Sequence, residues 1–82
     1  MFEILWDEKA FDELKKFEPS ISRRILGKVK DLSGDPHIHD IKKLKGMSGF
    51  RLRVGDYRVI FEIEQDKIHI FKVGHRKHIY DK

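Results

Sequence analysis

There is no cysteine anywhere in the sequence, and only two prolines and one tryptophan. Without cysteine, the chain has no disulfide frame, no thiolate zinc site and no thiol nucleophile. No apolar run reaches the 18 or more residues that a membrane-spanning helix needs. The N-terminal stretch MFEILWDEKAFDELKK carries acids where a secretory signal needs a basic start and an apolar run, so a cytoplasmic protein is expected. The six glycines are scattered and build no phosphate-binding glycine loop. His37 and His39, near Asp35 and Asp40, stand without a further clustered ligand, so neither a metal site nor a cofactor is expected. There are no internal repeats or low-complexity tracts. Residues 1–82 are the length of one small domain with a small core.

Charge, by contrast, is abundant and unevenly placed. Residues 1–20 hold six acidic and three basic side chains, a balance of −3, whereas residues 42–58 hold six basic and one acidic, a balance of +5. A concentrated basic segment fits a polyanionic partner, because each phosphate contact releases counterions. A solvated lysine-rich surface gives the same composition.

The apolar pattern predicts an α+β domain. Phe2, Ile4 and Trp6 alternate with Glu3 in a short strand. Asp7 caps a helix with acids in its first turn, and Ala10, Phe11, Leu14 and Phe17 recur at helical spacing. Pro19 stops that helix and begins a second. There Ile21, Ile25, Val29 and Leu32 form one stripe that ends at Gly34-Asp35-Pro36. Residues 37–49 read as a loop holding Lys42, Lys43 and Lys45. Two alternating runs, residues 50–54 and 57–63, flank a Gly55-Asp56 turn, and a further strand over residues 67–73 follows Gln65-Asp66. The order β-α-α-β-β-β predicts an antiparallel four-stranded sheet packed on one face by the helical hairpin.

The turn fixes the register of the hairpin. Arg53 lies opposite Arg58, Leu52 opposite Val59 and Arg51 opposite Ile60. Leu52, Val54, Tyr57, Val59, Phe61 and Ile63 then face the helices, while Arg51, Arg53, Arg58, Ile60 and Glu62 share the other face. Continued alternation assigns His69, Phe71 and Val73 to the arginine face. Directly opposed arginines repel. A bound phosphate compensates such a pair, and so does extension of both side chains into water. Beyond Val73, the segment Gly74-His-Arg-Lys-His-Ile-Tyr80 concentrates basic and aromatic side chains. A bend at Gly74 is needed to bring His75, Arg76 and Tyr80 to the arginine face.

These residues carry a family signature. Leu44-Lys-Gly46, Phe50-Arg-Leu-Arg53, Asp56-Tyr-Arg-Val-Ile-Phe-Glu-Ile63 and Val73-Gly-His-Arg76 followed by Ile79-Tyr80 resemble the RelE-type toxins of the RelE/ParE superfamily. The resemblance in element order spans almost the whole chain. It implies a type II toxin that cleaves messenger RNA in the ribosomal A site, without metal, by attack of the ribose 2′-hydroxyl. It also implies a small, acidic RelB-like antitoxin as partner. On the family pattern, Arg51 and Arg58 stabilise the phosphate, Arg76 protonates the leaving group and Tyr80 activates the 2′-hydroxyl. Lys42, Lys43, Lys45, Arg53, His75, Lys77 and His78 are expected to contact RNA or ribosome.

The chain departs from the family pattern at Gly49, where relatives carry a further base that Lys45 or Arg53 would have to replace. It also ends at Lys82, without the C-terminal helix by which some relatives couple antitoxin binding to inhibition. The outer helix surface near Phe11, Phe17 and Ile21 is a candidate antitoxin seat, unless all three are buried. The alternatives to a nuclease are a ParE-type inhibitor of DNA gyrase and an inactive relic that binds only its antitoxin.

Overall fold

The computed structural model of the chain describes residues 2–35, 40–46 and 49–79. Strand β1 (Glu3–Trp6) leads to helix α1 (Glu8–Lys16), whose first turn is closed by the Asp7 carboxylate accepting the Lys9 N–H at 3.1 Å. Pro19 opens helix α2 (Pro19–Gly34). The Ser22 hydroxyl donates to the Leu14 carbonyl at 2.8 Å, tying the start of α2 to the end of α1. Four strands follow: β2 (Ile41–Lys43), β3 (Phe50–Val54), β4 (Tyr57–Glu64) and β5 (Lys67–His75).

The α+β class and the helical hairpin on one face agree with expectation, but the strand count does not. The sheet has five strands in the order β1-β5-β4-β3-β2, and β1 runs parallel to β5. The segment read as a loop contributes β2, whose Lys42 pairs with Arg51. Backbone bonds from Arg53 to Asp40 and from Leu44 to Gly49 extend this ladder at both ends. So short a strand, with one apolar residue in three, gives little alternation to read. It nevertheless covers the edge that β3 would otherwise leave open.

The β3–β4 register is as the turn predicts, Arg53 opposite Arg58 and Leu52 opposite Val59. Gly55 takes φ +59° in that turn. Between β4 and β5 the register shifts: Phe61 pairs with Ile70 and Ile60 with Lys72, leaving Phe71 as an extra residue. This bulge corrects two expectations. The bend lies at Phe71 rather than Gly74, and Val73 belongs to the core face, where it is buried. Lys72 moves to the arginine face instead. Unbroken alternation would have buried the Lys72 ammonium among apolar side chains, which is costly.

The core forms between the two helices and the inner sheet face. Ala10 and Leu14 of α1 and Ile25, Val29 and Leu32 of α2 pack against Leu52, Val54, Val59, Phe61, Ile68, Ile70 and Val73. Phe17 and Ile21 are partly buried against this cluster, whereas Phe11 turns outward and packs edge-on against Trp6. No helix among the described residues is long and apolar enough to cross a membrane.

Candidate nucleic-acid interface

Alternation and pairing arrange the open sheet face as a lattice. One row runs Asp40, Arg53, Arg58 and Gly74 across strands β2 to β5. The next row runs Lys42, Arg51, Ile60 and Lys72. The third has Glu62 beside His69. Arg51, Arg53, Arg58, Lys42 and Asp40 line a polar cleft of 250 Å³. Four side chains named from the sequence thus converge, accompanied by one acid.

Two of the cleft's arginines, and Arg76 nearby, have defined partners. The Arg53 Nη2 donates to Asp40 Oδ1 at 3.1 Å, and the Lys28 ammonium from α2 meets Asp40 Oδ2 at 3.4 Å. The Arg53 guanidinium, and to a lesser extent the Lys28 ammonium, holds the Asp40 carboxyl below the usual carboxylate range. Arg58 folds back over the hairpin, its Nη1 donating to the Gly55 and Tyr57 carbonyls at 2.8 Å. Arg76 lies just beyond β5 at the same end of the sheet. Its backbone N–H donates to the Asp56 carbonyl at 2.8 Å, and its Nε stands 3.6 Å from the Asp56 carboxylate.

The remaining predicted residues lie elsewhere. His75 pairs with Tyr57 and stacks edge-on against it at 5.4 Å on the helix-bearing side. This corrects the expectation that His75 joins the arginine face; the bulge at Phe71 sets its parity. The His75 Nδ1 accepts the Lys77 N–H at 3.1 Å. His78 lies 6.1 Å from His75, ring to ring. Lys43 and Lys45 are exposed outside the cleft. Tyr80 lies outside the described residues, as do His37 and His39. Among the described residues no three His, Cys, Asp or Glu side chains form a metal-binding group.

Gly49 has φ +137°, and a Cβ there would stand 3.2 Å from the Phe61 carbonyl oxygen. Any side chain at this position is therefore strained, by its φ and by the close approach of the Phe61 carbonyl. Two neighbours of the arginines were not assigned to this face from the sequence, Asp40 having been weighed only as a metal ligand. Lys72 could have been found from the cost of burying it, and Asp40 from its position two residues before Lys42 on the same side of an unrecognised strand.

A second, more apolar groove of 490 Å³ runs along β5 where β1 no longer covers it, between α1 and the C-terminal turn. Ala10, Phe17, Phe71, Val73 and Ile79 line it, with Lys9, His75 and His78 among its polar groups. Ile79 packs over Gly74, where an added Cβ would meet its Cδ1 at 3.1 Å.

Known proteins share this fold. The family model for the ParE toxin of type II toxin–antitoxin systems, parDE, matches residues 4–80. The Toxin RelE3 of Methanocaldococcus jannaschii is 34% identical over 83 residues, spanning 95% of this chain and 94% of the relative. In the RelB–RelE antitoxin–toxin complex from Methanococcus jannaschii, a chain 33% identical superposes with a TM-score of 0.77, over 94% of this chain and 95% of that one. In the RelBE2 toxin–antitoxin complex from Mycobacterium tuberculosis the values are 26% identity and a TM-score of 0.82, over 92% and 98%.

Proposed function

The chain belongs to the ParE/RelE superfamily of type II toxins, and we propose that it acts as an endoribonuclease on messenger RNA bound to the ribosome. The observation that carries this reading is the cleft in which Lys42, Arg51, Arg53 and Arg58 converge. RNA supplies its own nucleophile. The 2′-oxygen bonds to phosphorus, the phosphorus–O5′ bond breaks, the 2′-hydroxyl loses a proton and O5′ gains one. The protein must hold the backbone in line and stabilise the charge that builds on the phosphoryl oxygens. Guanidinium groups fixed on strands suit that task, since their planar forks donate to two oxygens at once.

In this reading Arg51 and Arg58 stabilise the phosphoryl oxygens. Arg76, held against Asp56 at the hairpin tip, donates toward the departing oxygen, and Tyr80 takes the proton of the 2′-hydroxyl. Lys42 supplies, from β2, the cation that Gly49 does not, because it flanks Arg51 directly. Lys43, Lys45, Lys77 and His78 offer peripheral contacts to RNA or ribosome. His75, packed on Tyr57, instead orients the turn that carries Arg76.

The proposed partner is a RelB-like antitoxin, as in the complexes formed by the relatives. The apolar groove beside β5 is the surface we assign to it. Primer extension on a translated messenger, with and without ribosomes, tests the activity. Cuts that need both ribosomes and Arg58 are expected. Loss of DNA supercoiling by gyrase, with no cuts, points instead to a gyrase inhibitor.

A further inference from the structure

The opposed pair Arg53–Arg58 should repel, yet nothing external is required to hold it, because the molecule brings its own anion. Asp40 sits in the same row, beside Arg53, and is the one acid lining the cleft among the described residues. Both of its carboxylate oxygens are engaged, Oδ1 by Arg53 and Oδ2 by Lys28. The two cations come from different elements, β3 and α2, and converge on one small anion. A phosphate group is held in the same way, by several cations converging on its oxygens.

We propose that Asp40 is an internal stand-in for the RNA phosphate: it occupies Arg53 while the cleft is empty and yields it when the RNA backbone enters. The proposal rests on the phosphate-cleft reading above. Three properties of the contact suit an exchangeable one. The Arg53 side chain is 64% exposed and that of Lys28 42%, so releasing either uncovers no core. The Arg53–Asp40 contact is exposed, and ion pairs of that kind hold weakly and are screened by salt. The Asp40 backbone, by contrast, is fixed, its carbonyl accepting the Arg53 N–H at 2.9 Å, so the carboxylate stays within reach of Arg53 when displaced. The carboxylate therefore competes with each incoming phosphate for Arg53 and repels it electrostatically, weakening binding to RNA that is not delivered at high local concentration.

The test is Asp40→Asn, which keeps size and backbone pairing but removes the charge. The probe is a short 2′-O-methyl RNA, which binds but cannot be cut, titrated over a range of salt. The variant should bind about tenfold tighter at moderate salt, with a log–log salt slope steeper by about one. The gain should vanish in the double variant Asp40→Asn with Arg53→Gln. A folded Asp40→Asn protein that binds no tighter than wild type overturns the proposal and makes Asp40 a structural clamp. A measurement on the wild type covers the case in which the variant does not fold. The Asp40 carboxyl carbon and Arg53 Nε resonances should both shift as the RNA probe is added, and unchanged resonances at saturation overturn the proposal equally. Binding is read without cleavage, so an RNA-binding protein that never cuts a translated messenger refutes the nuclease reading and leaves this one standing.

Discussion

On the side that carries the helices, Leu52, Val59, Phe61, Ile68 and Ile70 are sealed from water, whereas the same three strands present Arg51, Arg53, Arg58, Glu62 and Lys72 on the other side. One backbone thus serves two purposes that differ only by the parity of a residue. The inner face is held by burial, which is indifferent to the identity of the partner as long as volume is filled. The outer face contributes little to stability and is arranged by charge. Function can therefore be altered on the outer face without touching the fold, whereas a large change on the inner face removes both.

The largest effects should come from trading one face against the other. Phe61→Ala empties the centre of the inner face and should cost about 3–5 kcal/mol. A domain of this size holds only a few kcal/mol in total, so the protein should be unfolded at room temperature by circular dichroism. Arg58→Ala, one strand position from the buried Val59, should keep the circular dichroism spectrum and lower the melting point only slightly. Single-turnover cleavage on ribosomes should nevertheless fall about 10²–10³-fold. Undiminished cleavage by the folded variant removes Arg58 from the phosphate site.

Gly49→Lys sharpens the comparison, because it adds a charge to the outer face at the cost of backbone fit. The φ of +137° and the 3.2 Å approach to the Phe61 carbonyl make any side chain strained there. A loss of roughly 1–3 kcal/mol in urea unfolding is expected, with no gain in cleavage. Lys42→Ala makes the complementary change. It should leave stability within about 0.5 kcal/mol, and it should reduce the salt slope for RNA binding by about one if Lys42 supplies the missing base.

How far the sequence could be read follows the same division. Local signals sufficed for the β3–β4 hairpin, since Gly55-Asp56 fixes its register and every later assignment on those strands follows from it. The helices were equally plain from their caps and stripes; Phe11, which the sequence left open between the core and an outer antitoxin seat, turns outward against Trp6. Non-local pairing was not legible. The parallel contact of β1 with β5 joins the first strand to the last, and β2 has only Ile41 to mark an inner face. For the site, Arg51, Arg53 and Arg58 were found because charge on a predicted outer face is conspicuous, and Lys42 only as one of three lysines in a segment read as a loop. Asp40 was passed over because its significance depends on β2, and His75 was misplaced because its parity depends on the bulge.

The bulge itself admits the gentlest test. If Phe71 is the extra residue, deleting it removes the irregularity and leaves Lys72, Val73 and Gly74 opposite Ile60, Val59 and Arg58 as before. Phe71 is 44% exposed, so its own packing contributes little. The deletion should cost about 1 kcal/mol and leave cleavage close to wild type. Deleting Ile60, which is regularly paired with Arg51 on β3, should act very differently. A one-residue slip there turns either the side chains before it, Arg58 among them, or those after it, Phe61 among them, to the opposite face. Similar damage from both deletions means that Phe71 is needed where it stands, and that the two faces of β5 are separated by its side chain rather than by register alone.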